Sequence, residues 1–212
     1  MKSCKQKIFV IVYEIVNITT FYSRWCFTII SNIIEPKISV IKPSVDINVI
    51  QPDVVMDLSH HGNVSANLSE QYSIVAEMTF VKTGFCVSLS EIDMTFGYKD
   101  FLVKIDNSYQ KNSFAYDAVL NHEKKHINTY LSVIDDFQGE LKNALFTAAD
   151  SVMPIFIEKK SDFDGAVEMM NKELQTHPDL ILVKQKIKAA EEIRNKKIDQ
   201  VEDGSELMKC FE

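Results

Sequence analysis

His122-Glu123-Lys124-Lys125-His126 is the stretch whose residue types and spacing carry chemistry. Two histidines four apart on a helix share one face, a turn from each other, so both imidazoles reach one metal ion. A glutamate directly after the first histidine is placed to take a proton from a water on that ion. Neutral imidazoles suit Zn2+, which in hydrolytic sites takes a third protein donor and keeps one position open. On this reading His122 and His126 are metal ligands and Glu123 is the catalytic general base.

A helix must present these side chains. Apolar residues recur by threes and fours from Tyr116 through Val119, Ile127, Tyr130, Ile134, Phe137, Leu141 and Leu145 to Ala148. That spacing predicts one long amphipathic helix over about 113–149, with Ser113 as its cap and Pro154 beyond its end. Wound at about 100° per residue from His122, Glu123 falls near 100° and His126 near 40°, while the apolar stripe centres near 100°. Glu123 therefore sits in the middle of the face due for burial, and Lys124 and Lys125 turn outward. A carboxylate in a core stripe is costly unless a cation or hydrogen-bond partner accompanies it. A metal with its water supplies such a partner.

The third donor has to come from another element. A further helical turn offers Thr129 and Ser132 rather than donors. Glu140 shares the face of His122, but its distance along the axis is about 27 Å. Asp162, Asp164, Glu168, Glu173 and His177 are the downstream candidates, and His60 and His61 the upstream ones. The segment 160–177 is the first place to look.

Upstream of the long helix the pattern is β. Ile38–Ile41, Val45–Ile50 and Val54–Met56 are short β-branched runs cut by Pro43 and Pro52. Residues 59–63 read as a loop, and 67–71 as a polar turn or short helix. Residues 72–82 alternate apolar and polar, Thr83-Gly84 turns the chain, and 85–89, 92–98 and, after Gly97–Asp100, 101–105 give further strand, which predicts an antiparallel meander. Downstream, Phe163–Leu174 predicts a second helix capped near Ser161 or Asp162. Residues 179–201 predict a third, charged helix, with Leu180, Val183, Ile187, Ala190, Ile193 and Ile198 as its stripe. Strands followed by helices make the expected fold class α+β, with helices packed on an antiparallel sheet. The expected organisation is an N-terminal apolar segment over 1–35, an α+β domain over 36–178, and a charged helix with a tail over 179–212.

Composition removes some function classes. The chain has 212 residues, is 46% apolar and 25% charged, and carries a net charge of −7. That is ordinary globular material and a poor match to nucleic acid. The four cysteines, Cys4, Cys26, Cys86 and Cys210, form no CxxC pair, so a zinc ribbon is not indicated; one disulfide involving Cys86 is open, but its partner is not deducible. Lys2, Lys5 and Lys7 before the apolar run Ile8–Tyr13 have the charge pattern of an export or anchoring segment. A second apolar patch spans Trp25–Ile34. Both are shorter than the roughly 18 apolar residues of a membrane-spanning helix. The alternative is a partly buried N-terminal helix or strand.

The run Tyr116-Asp117-Ala118-Val119-Leu120-Asn121-His122-Glu123-Lys124-Lys125-His126-Ile127 resembles the metal-binding helix of the zincin superfamily of metalloproteases. With the strands before it and the long continuation after it, residues 72–150 look like a group of poorly characterised bacterial secreted zinc-dependent proteases. The resemblance implies Zn2+ on His122 and His126, Glu123 as acid and base, and a protein or peptide substrate. Two alternatives stand beside it: a zincin-like domain that binds metal without turnover, and a metal-free protein whose helix 179–203 pairs with a partner helix.

Overall fold

The alternating stretches of the middle of the chain form two unusually long strands. In a computed structural model, which describes residues 26, 36–53 and 61–202, the elements run in the order β1 (Lys37–Ile41), β2 (Asp46–Ile50), β3 (Gly62–Val81), β4 (Gly84–Ile105), α1 (Phe114–Ser151), β5 (Ile155–Ile157), α2 (Phe163–Gln175) and α3 (Pro178–Glu202). A short 3-10 turn, Lys160–Asp162, precedes α2. The first N-terminal apolar patch, all of the second but Cys26, the run Val54–Met56 and His60 lie outside the described residues. Among the described residues no helix is long and apolar enough to cross a membrane.

The antiparallel meander expected over 72–106 does not form. The five strands make one sheet in which β4 pairs with all the others, and its path β1–β4–β2 is parallel. In β2 the register runs from Asp46 opposite Asp100 to Ile50 opposite Lys104. Parallel neighbours need a long connection, and β3 itself supplies it here. β3 and β4 form a single hairpin through the two-residue turn Lys82-Thr83, and β5 pairs antiparallel with Phe85–Val87. The polar stretch 67–71, expected as a turn or the start of a short helix, lies inside β3. The break expected at 97–100 is a slip of phase within one strand. Burial alternates on Ile92, Met94, Phe96 and Tyr98, then resumes on Phe101, Val103 and Ile105. Gly97 sits at the slip with φ +147, and a Cβ there would lie 3.0 Å from the Pro43 ring. Only glycine adopts that backbone freely.

The chain divides into two compact units, each assembled from separated stretches. One unit takes Val40–Tyr72, Met94–Lys142 and Ile181–Glu212. Its buried residues include Met94, Phe96, Phe101 and Val103 of β4, Tyr116, Val119, Ile127 and Ile134 of α1, and Val183 and Ile187 of α3. Ser113 caps α1 as expected, its Oγ accepting a hydrogen bond from the Tyr116 amide at 3.2 Å. Within this unit α1 and α3 run antiparallel. Asp136 meets Arg194 at 2.7 Å, and Glu140, one turn on, meets Lys186 at 2.9 Å. These pairs are half exposed and each contributes at most about 1 kcal/mol; they report the register more than they stabilise it.

The other unit takes Met1–Ser39, Ser73–Asp93 and Asn143–Leu180. Its core includes a disulfide between Cys26 and Cys86, with Val81 buried beside it and Phe156 packed against the cluster. Ala166, Met170 and Leu174 form the buried stripe of α2. His177 ends the loop before α3, where its Nδ1 accepts a hydrogen bond from the Asp179 amide at 3.3 Å.

Candidate metal centre

The wheel expectation for α1 agrees with the burial. Glu123 is 4% exposed, His126 is buried, His122 is half-buried, and Lys124 and Lys125 are exposed. The two imidazoles are 4.8 Å apart between centroids, with their rings steeply inclined.

The carboxylate that stands beside the histidine pair is Asp199, on α3. His122, His126 and Asp199 are the group of the described residues that could hold a metal ion. The Nε2 atoms of His122 and His126 are 3.1 Å apart. Asp199 Oδ1 is 3.1 Å from His126 Nε2 and 3.6 Å from His122 Nε2. An ion about 2.0–2.1 Å from each donor in tetrahedral array spaces those donors about 3.3 Å apart. The three edges measured here bracket that length, so the donor triangle fits a small tetrahedral cation. His126 Nδ1 also bonds Asn195 Oδ1 at 2.9 Å. An amide oxygen only accepts, so Nδ1 carries the proton and Nε2 keeps its lone pair for a metal. The Asp199 side chain is 55% exposed, which leaves the site a way in from solvent.

Asp162, Asp164, Glu168, Glu173 and His177 do not join this group; all five belong to the unit that holds the disulfide. His61 stands just before the strand that backs the site. Its Nδ1 is bonded to the Tyr109 hydroxyl, and its carbonyl accepts from the Asp106 amide at 3.1 Å.

Asp199 left a trace in the sequence. The buried line on α3 runs through Leu180, Val183 and Ile187 and then, at the same spacing of four, meets Glu191. Asn195 and Asp199 continue it. Following apolar letters alone leads instead to Ile193, which is 70% exposed. Three polar residues continuing a core stripe are the signal that points to a site.

Glu123 is held by its surroundings. Burial pushes its carboxyl up to about 7; the neighbouring His126 opposes the rise and Asp199 adds to it. Gly62 opens β3 directly against it. A Cβ at Gly62 would lie 2.7 Å from both Glu123 Oε1 and Val119 Cγ1. The strand backbone thus approaches the carboxylate as closely as a missing side chain allows.

No protein-family model matches the chain, and no curated protein or solved structure matches it.

Proposed function

We propose that the protein is a zinc-dependent peptidase of zincin type. One observation carries the reading: His122, His126 and Asp199 converge at zinc-like spacing, and a buried glutamate adjoins the first histidine. Two imidazoles and a carboxylate also suit ferrous iron in other chemistries. The placement of Glu123 favours hydrolysis, because a poised base is what a hydrolytic site needs in addition to its metal.

When bound, zinc supplies Lewis acidity and acidifies a water. The rest of the chemistry falls to the chain. Glu123, raised toward neutrality by burial, accepts a proton from water and returns it to the departing amine nitrogen. Asn195 fixes the tautomer and the orientation of His126. Gly62 leaves Glu123 the room that a side chain would take. The Cys26–Cys86 disulfide supports work in an oxidising compartment, in keeping with export.

The test is metal content followed by turnover. Purified protein should hold one zinc per chain, and His122→Ala should lose it. Glu123→Gln should keep the zinc while hydrolysis of a peptide library falls about 10²–10⁴-fold. Absence of stoichiometric metal sinks the metal assignment. Equal turnover by Glu123→Gln and the parent sinks the catalytic one.

A further inference from the structure

Two polar rungs join α1 to α3 at and beside the metal centre. The first is the bond from His126 Nδ1 to Asn195 Oδ1. The second lies one turn away, at Tyr130 on α1 and Glu191 on α3, about 6 Å along the axis. It runs through β4. The Tyr98 hydroxyl donates to Glu191 Oε2 at 2.8 Å, and the Tyr98 ring meets that of Tyr130 at 4.8 Å between centroids. Glu191 and Asp199 both add to the rise that burial imposes on the Tyr130 hydroxyl, in keeping with its place between them.

Glu191 is the costly member. Val183 and Ile187 precede it on the buried stripe of α3, and it is itself 6% exposed. Burial raises its carboxyl, and the bond from Tyr98 opposes the rise. Its Oε1 is enclosed without a hydrogen-bond partner among the described residues. A carboxylate so placed costs more than a leucine continuing the stripe. An apolar stripe that repeats every turn, however, packs nearly as well when its helix slides by one turn. The half-exposed pairs Asp136–Arg194 and Glu140–Lys186 are too weak to forbid the slide. A buried polar contact does forbid it, because any other register strands both partners without a bond.

We propose that Tyr98 and Glu191 are positioning residues, whose hydrogen bond pins α3 in the one register that brings Asn195 to His126 and Asp199 to the histidine pair. A slide of one turn, about 6 Å, carries both away from the histidines. Neither Tyr98 nor Glu191 is among the three donors. The consequence for zinc rests on the metal reading above; the pin itself does not.

Three variants of the full chain test this. Tyr98→Phe/Glu191→Leu replaces both partners by apolar groups, so its urea midpoint in chelator should hold or rise. Tyr98→Phe removes one atom and leaves Glu191 without its donor. Glu191→Gln keeps an oxygen that accepts from Tyr98. Zinc affinity, measured by competition with a chromophoric chelator, should fall about tenfold or more in the first two and return toward the parent in Glu191→Gln. In zinc-free protein, the ring 15N shifts of His126 should report a proton on Nδ1 in the parent and in Glu191→Gln, and lose that signature in the double variant. A double variant that keeps either the parental zinc affinity or the His126 signature overturns the inference. So does a midpoint that falls in step with affinity, which marks an ordinary structural role, and so does a loss that Glu191→Gln shares in full, which assigns the effect to charge. A parent without zinc removes the metal reading instead, and the His126 comparison then decides for or against the pin.

Discussion

Replacing Glu123 by glutamine in the zinc-free protein should stabilise it at alkaline pH and do almost nothing in acid. The two side chains have nearly the same shape, so the exchange removes the titration and little else. Glu123 is 4% exposed, and its carboxyl is raised from 4.5 to about 7. A folded-state value above the unfolded one means the folded protein keeps the proton longer. The contribution of Glu123 is therefore fully present below about pH 4.5, declines as pH rises through the window up to 7, and is lost above it. A shift of that size corresponds to about 3 kcal/mol. Partial solvent access through the Asp199 side makes about 2 kcal/mol the better expectation. Urea denaturation in chelator, at intervals from about pH 4 to pH 8.5, gives the difference between parent and variant. The curves should coincide near pH 4 and separate by about 2 kcal/mol at the upper end, glutamine being the more stable. A difference that stays flat across the range would refute the reasoning, because Glu123 would then be ionised in a wet environment. Saturating zinc should narrow the gap, since a nearby dication stabilises the carboxylate.

Asn195→Ala removes the acceptor that orients His126; zinc affinity, measured by competition with a chromophoric chelator, should fall about 10–100-fold. Gly62→Ala forces a Cβ against Glu123 Oε1 and Val119, so hydrolysis should drop sharply while zinc content holds; unchanged turnover counts against Glu123 as the base. The Cys26–Cys86 disulfide closes a loop of 60 residues, which by chain entropy is worth about 4 kcal/mol, and reductant or Cys86→Ser should lower the denaturation midpoint accordingly.

The part of the site carried by one helix was legible. Helical period is local, so the positions of Glu123, His126 and the outward lysines follow from residue spacing alone, and the Ser113 cap follows from neighbouring residues. The sheet was not. Alternation gives a strand its faces but not its neighbours, and β2 pairs in parallel with a strand some fifty positions later. The phase slip at Gly97 imitates a turn because both interrupt alternation. Asp199 was not legible for a related reason. It comes from a distant element, and the polar continuation of the α3 stripe through Glu191 and Asn195 reads as surface until α1 is packed beside it.

The antiparallel pairing of α1 with α3 also sets an order of events. Of the three donors, Asp199 is the last to be synthesised, and the two histidines wait on α1 without it. No chain that has yet to dock α3 possesses the three-donor triangle. Any metal that needs all three donors would then be captured late, with the closing of a long loop whose entropic cost grows only logarithmically with length. A half-made or misdocked protein carries the histidine pair and Glu123 but not the assembled triangle, so on the proposed reading it would lack the hydrolytic centre.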